Sequence, residues 1–218
     1  MAEVTKPDVR AKRGLGPAAR RQSLVDAGWH LLVTEGVKAV TIDRVLGELG
    51  ITRPIFYRQF TDRIDLLVAL YERYADDTIR TQEPVLCRED LSIEELIKAS
   101  RTAYFDMAAQ HGTTIRPLVE AAHRDPRMTS AQAMLRARTI AMWNVAVSNR
   151  LSNRERELFA AREDVRDAVG TMVELVHTIA VDGATMWLNG HRSRRTVEDV
   201  LDVMTAGVHQ RLLDFLTE

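Results

Sequence analysis

Apolar residues recur along this chain at intervals of three and four, and no stretch of useful length alternates apolar with polar. That is the period of helices buried on one face, so the expected fold is all-α. Leu24, Ala27, Leu31 and Leu32 make one such stripe. Thr34-Glu35-Gly36 ends it, with Gly36 suited to the left-handed position after a helix. Thr41 is placed to cap a second helix carrying Ile42, Val45, Leu46 and Leu49, which Gly50 stops after roughly two turns. Thr52 or Arg53 opens a third short helix, and Asp62 can cap a longer fourth with Leu66, Leu67, Leu70 and Tyr74. From Glu83-Pro84 to Asp90 the mixed composition predicts a linker.

Beyond it, Ser92-Ile93-Glu94-Glu95 has the spacing of a capping box, with Leu91 and Leu96 as its hydrophobic staple. Further helix starts are expected at Thr129 and Ser152, and a cap at Thr196. Gly112, Asp125-Pro126 and Asn189-Gly190 are expected breaks. The pattern gives four helices, a linker and roughly five more: a small front and a larger rear.

Composition narrows the class. The 218 residues are 45% hydrophobic and 28% charged, with a formal net charge of −1. No run approaches the roughly 18 apolar residues of a membrane span. The opening MAEVTKPDVRAKRG is charged and lacks the apolar stretch of a secretory signal. A lone cysteine, Cys87, forms no internal disulfide and suits a reducing compartment, so the expected location is cytoplasmic. The balanced total hides an asymmetry. Residues 1–63 hold eleven Lys/Arg against seven Asp/Glu, leaving 19 against 24 for the rest. A basic front on an acidic body points towards a polyanionic partner.

The segment LGITRPIFYRQFTD sharpens that pointer. Two short helices joined by a turn containing glycine are the ingredients of helix-turn-helix. At 100° per residue, Phe56 and Phe60 fall together and can anchor the second helix, with Ile51 packing the turn. Pro54, Tyr57 and Arg58 fall on the opposite face, and Arg53 sits at the exposed start. The major groove admits one helix, and the first turn of that helix reaches deepest. Arg53 or Arg58 can pair with guanine O6 and N7, while Pro54 and Ile55 offer apolar surface to a thymine methyl. Tyr57 and Gln59 have the reach for phosphates. Thr41 and Thr52 stand at helix starts, where free N–H groups attract phosphate, and Arg63 adds a cation at the start of helix four. The basic tail, with Lys6, Arg10, Lys12 and Arg13, is expected to be disordered or to follow the duplex.

Residues 20–74, above all TIDRVLGELGITRPIFYRQFTDRIDLLVAL, resemble the DNA-binding domain of the TetR family of transcriptional regulators. The shared features are the Thr41 cap, the Gly50 turn, Tyr57 and Phe60 three residues apart, and a basic residue, here Arg63, opening helix four. Lysine is usual at that last position, and glycine is frequent where this chain has Pro54. The resemblance implies a basic tail over 1–17, a helix-turn-helix DNA-binding domain over 18–63, and a helical effector-binding and dimerisation domain over 64–218. It further implies a homodimer that reads a palindromic operator and represses a promoter until a small molecule binds.

Two rear segments, 164–188 and 197–216, are apolar over more than one stripe, which suits burial on two sides. In the family the last two long helices pair with their copies. That implies an interface here around Val173, Ala180, Gly183 and Ala184 on the first segment, and Val200, Met204 and Val208 on the second. Every methionine after the initiator lies between 107 and 204. Met107, Met142 and Met172 share helices with Tyr104, Phe105, Trp143, His177 and Trp187. Thioethers and aromatics can line an adaptable apolar pocket, with Tyr104, His177 or Asn144 as polar anchors, or can simply fill a core. The effector expected is hydrophobic or aromatic.

Other chemistry has no local signature. The six histidines are too scattered for a local metal site, and there is no Gly-rich phosphate loop or nucleophile elbow. Neither metal, cofactor nor enzymatic activity is expected. The alternative is a helical ligand-binding or protein-interaction module whose helix-turn-helix does not touch DNA.

Overall fold

A computed structural model describes residues 16–111 and 114–217. The basic tail and the expected break at Gly112 lie outside them. The described residues are helical throughout, in the order α1 (Pro17–Glu35), a 3-10 turn (Val37–Ala39), α2 (Ile42–Leu49), α3 (Arg53–Tyr57), α4 (Arg63–Leu86), α5 (Ile93–His111), α6 (Ile115–Ala122), α7 (Pro126–Ser148), α8 (Asn153–Ala161), α9 (Glu163–Leu188), α10 (Arg194–Thr205) and α11 (Val208–Thr217). They divide into two compact units: residues up to 74 with 114–131, and residues 75–111 with 132–217. The first unit thus takes in the opening turns of α4, together with α6 and the start of α7, which the sequence pattern grouped with the rear.

In the first unit the stripes meet as their spacing requires. Leu24, Leu31 and Leu32 of α1, Val45 and Leu49 of α2, and Leu66, Leu67 and Leu70 of α4 are all buried. Gly28 of α1 faces α4, where a methyl group would meet Leu70 Cδ2 at an ordinary contact distance of 3.4 Å. Arg73 braces the same pair from outside: its guanidinium lies 4.9 Å from the Trp29 ring centroid and donates to Asp26 at 2.7 Å.

The second unit is built on a core that includes Leu96, Ile97, Trp143, Val147, Phe159 and Val169. Arg150 ties its α4–α5 connection to the end of α7, donating from Nε to Leu91 O at 2.8 Å and from Nη2 to Arg88 O. A methyl at Gly183 would fall 2.4 Å from Val197 Cγ1, so this glycine sets the close approach of α9 to α10.

Several caps sit where the sequence puts them. Thr41 accepts from Arg44 N, Asp62 from Asp65 N, and Ser92 and Ser152 form capping boxes with Glu95 and Glu155. Gly50 closes α2 in the left-handed conformation, at φ 62° and ψ 34°. Four expectations need correction. The linker at Glu83-Pro84 is the last turn of α4, because a proline so near a helix end removes only one hydrogen bond. α7 begins at Pro126 rather than Thr129: proline at the first position loses nothing, and Asp125 Oδ1 accepts from Arg127 N. Ser193, not Thr196, caps α10, accepting from Thr196 N at 3.1 Å. The apolar run 197–216 is two helices, broken by extended Ala206 and by Gly207 at φ 72°. Among the described residues seven helices thus follow α4 rather than roughly five.

Candidate functional site

The two-helix unit is α2, a turn through Gly50 and Ile51, and α3. Phe56 and Phe60 are 0% and 2% exposed with ring centroids 5.4 Å apart, and they fasten α3 to its unit. Arg21 of α1 lies over Phe60, 4.3 Å from the ring centroid, and points Nη1 at Gln59 O, 3.5 Å away. These contacts hold the chain just after α3, where Arg58 and Gln59 form a turn rather than a further helical coil. The other side is open. Tyr57 is 52% exposed, its ring edge-on to Phe56, and Thr52, Arg53, Pro54 and Arg58 are exposed beside it, with Ile55 and Gln59 half-buried. The hydroxyl of Thr52 makes no capping bond, although its backbone is extended as at a helix start.

Two of the arginines are engaged. Arg53 is forked onto Asp43 of α2, with Nε donating to Oδ1 at 3.0 Å and Nη2 to Oδ2 at 2.8 Å. Both side chains remain well exposed, so the pair is one that a stronger acceptor can displace. Arg63 is different. Its Nε donates to Val40 O at 2.6 Å and its Nη2 to Val37 O at 2.8 Å, which stitches the start of α4 to the 3-10 turn before α2. The sequence pattern assigns Arg63 to a phosphate; in the structure its guanidinium is spent largely on these two carbonyls. Sequence reasoning had no means of finding those acceptors, which lie 26 and 23 residues earlier in the chain.

A family model, "Bacterial regulatory proteins, tetR family", matches residues 24–70, from the middle of α1 through the opening turns of α4. The HTH-type transcriptional activator FasR of Mycolicibacterium smegmatis is 26% identical over 175 residues, covering 79% of this chain and 74% of its own length. Over residues 24–70 the chain is similar to the TetR family of regulatory proteins. Solved structures carry the same fold at lower identity. A TetR-family regulator from Streptomyces coelicolor superimposes with a TM-score of 0.64 at 19% identity, over 93% of this chain and 89% of its own. A TetR-like regulator from Rhodococcus sp. RHA1 does so with 0.61 at 16% identity, over 90% and 98%.

The second unit holds a cavity of about 50 Å³ between α4, α5, α7 and α9. Tyr104, Trp143, Met172 and His177 line it. His177 stands edge-on to Tyr104, centroids 5.4 Å apart, and burial holds its imidazole below the ordinary histidine range, so it is neutral at pH 7. The other residues expected in a pocket do not line this cavity. Phe105 and Trp187 stack on each other at 5.9 Å, with Arg194 over both rings. Met107 borders a separate polar groove with Asp77 and Arg80, and Met142 packs on the core. Asn144 Oδ1 is buried without a hydrogen-bond partner. The sequence pattern missed Arg101, Ser100 and Gln82, polar residues on otherwise amphipathic helices, which line the cavity. Gln82 and Ser100 satisfy each other: Gln82 Nε2 donates to Ser100 O at 3.1 Å, and Ser100 Oγ donates to Gln82 Oε1.

The residues expected at a dimer interface also separate. Val173 and Ala180 line the cavity, and Gly183 and Ala184 are buried inside the chain, so none of the four is on an open face. Tight helix approach at Gly183 is real, but it is used within one chain, against Val197. Val208 is half-buried on the core. Val200 and Met204 are each 53% exposed, and Val203 between them is 78% exposed. These three are neighbours on the surface of α10, running from beside buried Val197 and Leu201 round to the outward side at Val203.

Proposed function

We propose that this chain is a TetR-family regulator that binds a palindromic DNA operator as a homodimer and that a small hydrophobic effector releases it, making it a repressor. The observation that carries the DNA reading is the division of α3. Its two phenylalanines are buried while Arg53, Pro54, Tyr57 and Arg58 face away from the unit, an arrangement with no use in a helix that serves only as structure. In this reading Arg53, released from Asp43, and Arg58 meet base edges, and Pro54 and Ile55 touch thymine methyls. Thr41, Thr52, Tyr57 and Gln59 hold phosphates, and Arg63 acts mainly by fixing the turn that presents Thr41. Exposed Val200, Val203 and Met204 of α10 supply the surface for a second copy, and the cavity of the second unit supplies the effector site.

A second reading of the sign of control is favoured by one observation: FasR, the relative matched over most of this chain, is named an activator. DNA binding and effector response are common to both readings, and the promoter decides between them.

Affinity for the DNA flanking the coding region, measured over a range of salt, tests the central claim. Neutralised phosphates predict a steep linear fall of log affinity with log salt. A protein that ignores this DNA in dilute buffer is the interaction module instead. Adding an effector should weaken operator binding; equal affinities with and without it would discard the release model.

A further inference from the structure

The effector cavity is mostly apolar, but its wall includes a buried cation. Arg101 of α5 is only 4% exposed and lines the cavity with Tyr104, Trp143 and Met172. An arginine is charged at every physiological pH, so this guanidinium is a permanent positive charge in a low-dielectric wall. Its compensation is partial. Nη1 lies 2.7 Å from Asp202 Oδ1 of α10, within ion-pair range but not aligned as a hydrogen bond, and the buried Nε has no hydrogen-bond partner. Asp202 is itself divided, being 39% exposed and also 3.7 Å from Lys98 Nζ. The other polar residues of the wall add no negative charge: Gln82 and Ser100 are turned to each other, and His177 is neutral.

A buried guanidinium with an unmet donor favours an anionic acceptor, and a planar carboxylate matches its fork. We propose that Arg101 is the anchor for the carboxylate of an amphiphilic effector, whose apolar body lies along Trp143, Met172 and Val176. This rests on the reading of the cavity as the effector site. It narrows that reading from a hydrophobic molecule to a monocarboxylate with a short aliphatic or aromatic body. The cavity of about 50 Å³ has room for a few water-sized groups, so the ligand is small, and the flexible thioether of Met172 is the wall that yields to it. In the bound state the ligand carboxylate and Asp202 compete for one guanidinium, and Asp202 retains Lys98.

The test is calorimetric titration of the full-length protein with benzoate and hexanoate, against the uncharged benzamide and hexanamide. The acids should bind at least tenfold more tightly than their amides. Arg101→Gln should remove that preference, acids then binding no more tightly than amides, provided circular dichroism shows it folded. Asp202→Asn keeps the arginine and removes its competitor, so it should tighten acid binding; this variant decides the matter where Arg101→Gln does not fold. Amides binding as well as acids, a preference that survives Arg101→Gln, acid binding not tightened by Asp202→Asn, or no binding of any of the four would each overturn the assignment. Operator affinity separates this from the effector reading. Amides that bind and release DNA would leave that reading intact while the carboxylate anchor fails. Acids that bind through Arg101 without altering DNA affinity would do the reverse.

Discussion

Neighbouring residues of α3 do opposite work, and single substitutions should separate it. Phe56 is fully buried, so Phe56→Ala should cost about 3–5 kcal/mol by urea unfolding and abolish DNA binding with the fold. Tyr57 is half exposed and gives up one edge contact with Phe56. Tyr57→Ala should therefore cost less than about 1.5 kcal/mol, yet weaken DNA binding at every sequence tested. Arg53 gives a prediction of the other sign. In the free protein it is held by Asp43, a carboxylate that also repels phosphate. Asp43→Asn should raise DNA affinity at low salt and make its salt dependence steeper, by anisotropy titration; unchanged affinity would mean that Arg53 stays with α2 on the duplex. The buried and open sides of α3 were legible in the sequence because both are set by spacing within one short helix. The engagement of Arg63 was not, because the carbonyls it binds come from a turn more than twenty residues away.

Helix ends show how far local chemistry carries. Thr41, Asp62, Ser92 and Ser152 cap where they were expected, since a cap and its N–H lie three residues apart and both are visible in the sequence. The α10–α11 break was missed because the apolar period runs on through Gly207, and Thr129 was preferred to Asp125 because the proline after Asp125 suggested an end rather than a beginning. Arg101 and Asp202 could not be paired from sequence at all, being a hundred residues apart. The start of α7 carries its own prediction. Arg127 donates to Asp125 at 2.8 Å and to Asp62, the cap of α4, at 3.0 Å, and the pairing lowers Asp125 from 3.8 to about 2. A carboxylate depressed by folding stabilises above its unfolded pKa, and that stabilisation is lost as pH falls through the folded value. The stability difference between the native chain and Asp125→Asn should thus be constant from pH 5 to 7, shrink between about pH 4 and 2, and vanish below. A difference that stays undiminished down to pH 2 would show that the side chain stabilises by some means other than its charge. Because the pair is exposed, the effect should be small and should diminish in salt.

One recognition helix per chain is too little for a specific site, which is the reason for proposing a dimer. A two-fold dimer brings two copies of α3 to two half-sites, so that the second binding event becomes intramolecular and far more probable than the first. The surface that would make this possible has to be apolar, open and on the outside of one chain. Val200, Val203 and Met204 meet all three conditions on α10. An isolated exposed valine needs no explanation, but two valines and a methionine side by side on one short helix do. Val203 is the most exposed of them at 78%, so a charge there should leave the folded chain undisturbed while facing any partner with an unpaired carboxylate. Val203→Glu should therefore sediment as a monomer at concentrations where the native chain is dimeric, with unchanged circular dichroism. It should lose at least tenfold in affinity for a full palindrome while binding an isolated half-site as the native chain does. Loss on both sites together would place Val203 in the fold rather than the interface, and a variant that remains dimeric would move the interface to another face.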